Sequence, residues 1–178
     1  GWRDVAVDNS CLSMDPKIRS SEPFHRQVFI GLPDGVTMDA DTFERRLYIA
    51  RKLISGRVFH AYHGLDNDFY IVSMSCRTVV YKGMFLGWQL GAYYRDFHDP
   101  DFESALALVH QRFSTNTFPS WRLAHPYRMV AHNGEINTVR GNVNWMAARQ
   151  ASVSSPLLGT DIEKRRACPR RCSVPTSR

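Results

Sequence analysis

The stretch Ala105-Leu-Ala-Leu-Val-His-Gln-Arg-Phe-Ser-Thr-Asn-Thr117 joins an unbroken apolar run to a cluster of polar side chains. The apolar part, residues 105–109, predicts a strand that is buried on both faces. The polar residues follow the end of that strand, where a rigid scaffold can aim side chains at a ligand. A second polar cluster, residues 132–137, follows another short predicted strand at residues 128–131. We therefore expect the functional site at these two strand ends.

Arg112 lies in the first polar cluster. A guanidinium at a buried strand end is costly unless it meets an anion, and its planar fork matches a carboxylate in a bidentate way. Two interpretations stay open from the residues alone. Arg112 forms a structural ion pair with a nearby Asp or Glu, or it holds the carboxylate of a ligand.

The second cluster contains the dipeptide Asn133-Gly134. Such a pair after a strand is often only a turn. It also suits an oxyanion hole, because an Asn amide and a Gly backbone N–H can converge on one developing negative oxygen. Together with a carboxylate clamp, an oxyanion hole indicates acyl transfer on an amino-acid amide. Ser114, Thr115 and the cysteines are candidate nucleophiles, but none lies in a nucleophile-elbow motif.

Around these clusters the sequence predicts a mixture of helices and short strands. Asp39 or Asp41 can cap a helix whose apolar residues recur at helical spacing as far as Ile54, and Gly56 is expected to end it. Runs of β-branched and aromatic residues predict strands at 27–30, 69–73 and 78–81. Two further helices are expected at residues 86–94 and 137–150.

Composition excludes several classes of protein. The chain has 178 residues, of which 43% are hydrophobic, and this suits one domain with a real core. It has no apolar stretch of about 18 residues, so no membrane span is predicted. The formal net charge of +6 comes from six bases in residues 164–178, since residues 1–163 hold 17 bases and 17 acids. A folded nucleic-acid-binding face is therefore not expected.

The four cysteines, Cys11, Cys76, Cys168 and Cys172, are too sparse and irregular for a disulfide framework. A reducing, cytoplasmic location is the resulting expectation. Cys168 and Cys172 lack a second pair of ligands, so no zinc site is predicted. Residues 165–178 are basic, contain prolines and show no periodicity, which predicts a disordered tail.

The two polar clusters also carry a resemblance to a known family. Residues 110–127 and 129–138 closely resemble the glutamine amidotransferase domain of the large subunit of glutamate synthase, and the likeness continues through Arg140-Gly-Asn-Val-Asn-Trp-Met146. Upstream segments that look like the same family are Gly1-Trp-Arg-Asp-Val5, Phe43-Glu-Arg-Arg-Leu47, Phe69-Tyr-Ile71, Val80-Tyr-Lys-Gly83 and Gln89-Leu-Gly-Ala-Tyr-Tyr94. The resemblance covers residues 1–164, interpreted as a partial class II amidotransferase domain.

The resemblance implies an α+β fold, part of a four-layer αββα N-terminal-nucleophile hydrolase with mostly antiparallel sheets. It also implies hydrolysis of L-glutamine to glutamate and ammonia. In that chemistry Arg112 would hold the α-carboxylate, while Asn133 and Gly134 would form the oxyanion hole. Residues implied to line or shape the pocket are Phe113, Ser114, Thr115 and His125.

In the family, ammonia passes to a synthase domain of the same polypeptide for the reductive amination of 2-oxoglutarate. FMN, an iron–sulfur cluster and a small electron-donating subunit belong to that whole enzyme, and none of these cofactors is expected in this segment. The family's nucleophile is an N-terminal cysteine, and neither Cys11 nor Cys76 corresponds to it. We therefore expect the isolated chain to be inactive as a glutaminase.

Two alternatives stay open beside glutamate synthase. One is another class II amidotransferase, although the run Phe113-Ser-Thr-Asn-Thr-Phe-Pro-Ser-Trp121 is not expected there. The other is a non-catalytic module that keeps the glutamine pocket without a nucleophile. Glutamine binding without release of ammonia would distinguish the second alternative.

Overall fold

The structure, a computed structural model, describes residues 1–12, 15–62, 69–111, 119–126 and 139–166. The chain divides into two compact units, and each is described by itself. Unit 1 comprises Gly1–Thr37 and Val80–Ala131, and unit 2 comprises Met38–Val79 and His132–Arg178. The elements are β1 (Trp2–Asp4), α1 (Pro16–Ser20), β2 (Arg26–Val28), α2 (Ala40–Ala61), α3 (Gln89–Tyr93), α4 (Val139–Arg149) and α5 (Asp161–Arg166), with 3₁₀ turns at Asn9–Cys11 and Arg95–His98.

Unit 1 begins with a small antiparallel sheet of β1 and β2, in which Trp2 lies opposite Val28 and Asp4 opposite Arg26. The Asp4 and Arg26 side chains form an ion pair of 2.7 Å across the strands. Arg3 reaches the carboxylate of Asp96 at 2.6 Å. The sheet is thus tied to the 3₁₀ turn that follows α3.

The core of unit 1 is a cluster of aromatic rings, here called the aromatic cluster. Its members are His25, Tyr81, Phe85, Tyr93, Tyr94 and Trp121. Tyr93 has no solvent-exposed area, and Trp121 is 3% exposed. The Tyr93 hydroxyl donates to Glu22 at 2.6 Å and lies 3.0 Å from Nε2 of His25. The buried Tyr93 hydroxyl and the half-buried Glu22 and His25 side chains therefore have hydrogen-bond partners.

Unit 2 is built around the long helix α2. The Asp39 carboxylate accepts from the Thr42 N–H at 2.9 Å, which satisfies one of the N–H groups left open at a helix start. The helix buries Leu47 and Ile49, and α5 packs against it with Ile162 buried. The predicted start of this helix is confirmed, whereas the predicted end at Gly56 is wrong, because α2 runs on to Ala61 with Gly56 buried inside it.

The structure confirms some of the predicted elements and not others. The predicted helices at 86–94 and 137–150 correspond to α3 and α4, and the strand at 27–30 corresponds to β2. The strands predicted at 69–73, 78–81 and 105–109 are irregular segments instead. The strand predicted at 128–131 lies outside the described residues.

The segment at 105–109 departs furthest from its prediction. It was expected to be buried on both faces, but Leu106 is 84% exposed and Val109 is 74% exposed. An extended apolar run becomes a buried strand only when neighbouring strands accept its backbone hydrogen bonds. Within the described part of the chain, the only named strands are β1 and β2, which pair with each other.

The described residues thus combine a small antiparallel sheet with helices, and the predicted α+β class is confirmed at this level. None of the described helices combines the length and the apolar character that a membrane crossing requires.

Candidate functional site

Most of the predicted site residues lie outside the residues that the structure describes. These are Arg112, Phe113, Ser114, Thr115, Asn133 and Gly134. His125 lies within the described residues, as does His110 at the start of the first polar cluster. The described part of the candidate site is therefore the surroundings of these two histidines.

His125 lies in a turn at residues 119–126, here called the His125 turn. Trp121 is buried at one end of it and donates its indole N–H to the Ile18 carbonyl at 3.2 Å. Lys82 fixes the other end, because its ammonium donates to the carbonyls of Arg122 at 2.5 Å and Ala124 at 3.1 Å. The turn is therefore attached to the core of unit 1 on both sides of Arg122.

The rings of His110 and His125 stack on each other. Their centroids are 4.5 Å apart, and the ring planes make an angle of 29°. The stack joins the exposed irregular residues 105–111 to the His125 turn. Two polar positions, one on each side of residues 112–118, are thus brought together.

The surroundings of His125 favour its neutral imidazole. The pKa of His125 is lowered, first by partial desolvation and then by the neighbouring His110 and Lys82. Each of these factors disfavours the positive charge of an imidazolium. At neutral pH the His125 ring is therefore uncharged and acts through its shape and hydrogen bonding rather than as a cation.

A second contact supports the same segment. A Cβ added at Gly87 would lie 2.7 Å from the side-chain amide of Gln111, so a larger residue there would displace this amide from its present position. Gly87 lies just before α3, whose residue Gln89 accepts from the Leu86 N–H at 2.7 Å. The two residues that precede Arg112 in the sequence thus both contact ordered parts of unit 1.

The sequence did not identify Lys82 and Gly87 as residues that support the candidate site. Lys82 was noted only within the family-like segment Val80-Tyr-Lys-Gly83, and its 8% exposure is unusual for a lysine. The signal was a lysine directly after an apolar–aromatic run, where a buried cation needs acceptors. Gly87 carried no comparable signal, because its contact with Gln111 spans a long separation in sequence.

The two cysteines of the described residues have thiols of low reactivity. Cys11 lies 3.1 Å from the Asp8 carbonyl, and burial raises the pKa of its thiol. The Cys76 thiol lies 3.2 Å from a carboxylate oxygen of Glu44, and this hydrogen bond raises the pKa of Cys76. The thiolate is the nucleophilic form of cysteine. Neither environment therefore activates its cysteine for attack on an amide.

A metal site requires several donor side chains close together. Among the residues that the structure describes, no group of three or more His, Cys, Asp or Glu side chains is arranged to hold a metal ion. An iron–sulfur cluster needs several cysteine thiolates together. The described cysteines, Cys11 in unit 1 and Cys76 in unit 2, do not fit such a cluster.

Comparison with known proteins extends the picture to the whole chain. Residues 1–170 match the model of the family described as glutamine amidotransferases class-II. The chain is 46% identical over 164 residues to a glutamate synthase (NADPH) large chain of Azospirillum brasilense and 48% identical over 164 residues to that of Bacillus subtilis. It is 46% identical over 150 residues to a ferredoxin-dependent glutamate synthase 2 of Synechocystis.

These alignments cover most of this chain and little of its relatives. They include 92% of the chain for the first two proteins and 84% for the third, but only 10%, 10% and 9% of the relatives themselves. The chain thus spans about a tenth of the length of the curated relatives it matches. The resemblance inferred from the two polar clusters is confirmed, and the chain belongs to the class-II glutamine amidotransferase family.

Proposed function

We propose that this chain binds L-glutamine as part of an amidotransferase that hydrolyses the side-chain amide to glutamate and ammonia. The observation that carries the proposal is the match of the family model to residues 1–170, which includes both polar clusters. The proposed fold is the four-layer αββα arrangement of N-terminal-nucleophile hydrolases, of which β1, β2 and the helices would be a part.

The proposed roles of the site residues follow from their chemistry. Arg112 holds the α-carboxylate, because a guanidinium makes two parallel hydrogen bonds to it. The Asn133 amide and the Gly134 N–H stabilise the oxyanion that develops when the amide carbonyl is attacked. Pocket-lining roles belong to Phe113, Ser114 and Thr115, and His125 shapes the adjoining turn.

We further propose that the ammonia serves glutamate synthesis, by reductive amination of 2-oxoglutarate in a synthase domain. The relatives support this, because they are glutamate synthases whose names specify NADPH or ferredoxin. The FMN, the iron–sulfur cluster and the electron-donating subunit of such an enzyme would contact other parts of it. The reduced thiols Cys11 and Cys76 suit the proposed cytoplasmic location.

A second candidate function is favoured by the thiol environments. A module that binds glutamine without cleaving it needs no activated thiol, and neither Cys11 nor Cys76 is one, since the pKa of each is raised. In that case Arg112 would serve the same purpose, while the oxyanion-hole residues would only contact the bound amide.

The proposal is tested by calorimetric titration of the 178-residue chain with L-glutamine, together with an assay for ammonia. Replacing Arg112 by Met should weaken binding about 10- to 100-fold, since a hydrogen bond to a charged group contributes about 1.5–3 kcal/mol. The matched control is Arg57→Met, an exposed arginine on α2, which should leave the affinity unchanged.

A ligand without the carboxylate sharpens the test. 4-Aminobutanamide keeps the amide and the amine of glutamine, so it should bind weakly to the parent chain and equally weakly to the Arg112→Met variant. Binding supports the glutamine site that both candidate functions share, and release of ammonia would then favour the amidotransferase over the glutamine-binding module. A chain that is folded but does not bind L-glutamine overturns both.

A further inference from the structure

Strand β2 and the two residues that continue it bond to β1 on one side only. The Phe29 N–H donates to the Gly1 carbonyl at 2.8 Å, and the Val5 N–H donates to the His25 carbonyl at 3.0 Å. In an antiparallel pair, residues that bond to the partner strand alternate with residues whose N–H and C=O groups point away from it. The residues that point away from β1 are Arg26, Val28 and Ile30.

The backbone groups of these three residues form a free strand edge, here called the β2 edge. Within the described part of the chain, no backbone hydrogen bond reaches this edge. The outer side of β1 differs, because the Ala6 carbonyl accepts from the Arg95 N–H at 3.1 Å and Val7 forms a bridge with Tyr94. A row of unpaired N–H and C=O groups is a template for a further strand. The β2 edge therefore fits an extended polypeptide.

The side chains along the β2 edge are apolar and exposed. Val28 is 37% exposed and Ile30 is 46% exposed, and the exposed Trp2 lies opposite Val28 on β1. Natural free edges are commonly protected by lysine, proline or a bulge. The one charge on this edge, that of Arg26, is paired with Asp4 at 2.7 Å. The β2 edge thus lacks the usual protection against strand pairing.

A second copy of β2 is complementary to this edge. In an antiparallel pair centred on Val28, the two Val28 residues lie opposite each other, and Arg26 lies opposite Ile30 of the second copy, so no like charges meet. Trp2 and Val28 of both copies then form one continuous apolar row across the strands. We propose that two copies of this chain associate through their β2 edges into a four-stranded antiparallel sheet with two-fold symmetry.

The association has a physical reason and an expected strength. A sheet of two strands is marginally stable by itself, whereas three or more strands with a hydrophobic face support one another. Each copy contributes only one short strand to the contact, which is small compared with the interfaces of permanent dimers. The dimer is therefore weak, and its population rises with the concentration of the chain.

Sedimentation equilibrium of the full 178-residue chain over a range of concentrations tests the proposal. The parent should approach twice the mass of one chain as the concentration rises. Val28→Lys places two like charges opposite each other at the centre of the pair and should leave the chain monomeric. Val79→Lys, the same change at an exposed valine outside β1 and β2, is the matched control and should associate as the parent does.

A mixture of two variants tests which residues face each other. Val28→Lys and Val28→Asp should each be monomeric alone, and mixing them should restore a dimer with one copy of each, because opposite charges then lie across the pair. A mixture that stays monomeric contradicts the proposed pairing.

Two further results would overturn the proposal. One is a folded parent chain that stays monomeric at every concentration, and the other is a Val28→Lys variant that dimerises as readily as the parent. If Val28→Lys does not fold, Val28→Pro decides, since proline removes an N–H that points away from β1 and is tolerated on an edge strand. A dimer of Val28→Pro as strong as that of the parent contradicts the proposal.

Discussion

The aromatic cluster and the apolar run at residues 105–109 belong to the same unit and are both rich in hydrophobic side chains, yet the first is buried and the second is exposed. Tyr93 has no exposed area, whereas Leu106 is 84% exposed. The ring centroids of the cluster lie 4.8 to 6.1 Å apart, and the Tyr93 hydroxyl and the Trp121 indole N–H donate hydrogen bonds to Glu22 and Ile18. The run offers only aliphatic side chains, and neither of the described strands pairs with its backbone, in which the Leu106 carbonyl accepts from the Ser104 hydroxyl at 2.7 Å.

The difference shows that burial of a segment depends on whether its backbone N–H and C=O groups find hydrogen-bond partners, as well as on the hydrophobicity of its side chains. Tyr93 lies in α3, where the Tyr94 N–H donates to the Leu90 carbonyl at 3.2 Å and the Tyr93 carbonyl accepts from the Asp8 N–H at 2.7 Å, so the backbone beside the buried ring has hydrogen-bond partners. A strand needs a neighbour for the same purpose, and burying its unpaired N–H and C=O groups would cost more than the side chains return. Three substitution or pH experiments test this contrast, from the largest expected effect to the smallest.

Replacing Trp121 by Ala should lower the free energy of unfolding by about 3–5 kcal/mol, because a buried indole is lost and a cavity remains. The equivalent truncation in the exposed run, Leu106→Ala, should change it by no more than about 0.5 kcal/mol. Urea unfolding followed by far-ultraviolet circular dichroism, a backbone signal that does not depend on Trp121, measures the free energy of unfolding of both variants. Similar losses in the two variants would show that the run is buried in solution.

Replacing Gly83 by Ala should cost about 1–3 kcal/mol of stability, because the new methyl group meets the packed rings of the cluster. Its Cβ would clash with the Phe85 ring and lie 2.6 Å from a Trp121 ring carbon. The matched control is Gly91→Ala in α3, where nothing lies within 4 Å of the new Cβ. That control should be neutral or stabilising, since alanine is the better helix former. A tolerated Gly83→Ala would mean that the cluster is loosely packed.

The smallest expected effect concerns His25, whose ring packs among the aromatic rings at 5.4 to 6.1 Å. Burial lowers the pKa of His25 below its ordinary value, so the folded state binds this proton less readily than the unfolded state. Stability should therefore be constant above about pH 6.5 and fall below it, by no more than about 1.4 kcal/mol per pH unit for one proton.

The measurement is the urea midpoint of the parent chain and of His25→Gln between pH 8 and pH 5. The variant should show a shallower fall, and part of the fall should remain because the pKa of His125 is lowered as well. His60→Gln, an exposed residue of α2, is the control and should keep the parent slope. An unchanged slope in His25→Gln would place the His25 ring in water rather than among the aromatic rings.

Local signals predicted the parts of the fold that depend on nearby residues. The cap at Asp39 marked the start of α2 because a carboxylate three residues before Thr42 satisfies its N–H directly. The end of α2 was mispredicted because a single glycine costs a helix only about 1 kcal/mol, which burial of Gly56 against the rest of unit 2 can offset. The strands at 69–73 and 78–81 were mispredicted because β-propensity does not reveal whether a pairing partner exists.

The residues of the candidate site were also predictable where the signal is local in sequence, and not where it depends on contacts between distant residues. The resemblance identified Arg112 and Asn133 from long motifs, and the family is confirmed by comparison over residues 1–170. The contacts that support the site could not be found in this way, because Lys82 bonds to the carbonyls of Arg122 and Ala124, and Gly87 packs on Gln111, across long separations in sequence. The proposed substrate-binding residues lie in contiguous motifs, whereas the residues that hold the neighbouring turn and segment in place are distant in sequence.

The burial of Lys82 also gives the chain a chemical marker. Its amine is bound to two carbonyls and is 8% exposed, whereas Lys17 and Lys164 lie on the surface. An acylating reagent needs a deprotonated amine in contact with water, so it should label the surface lysines quickly and Lys82 only after the His125 turn detaches. Peptide mass spectrometry of a brief labelling reaction would then read, at one residue, the fraction of molecules in which that turn is formed.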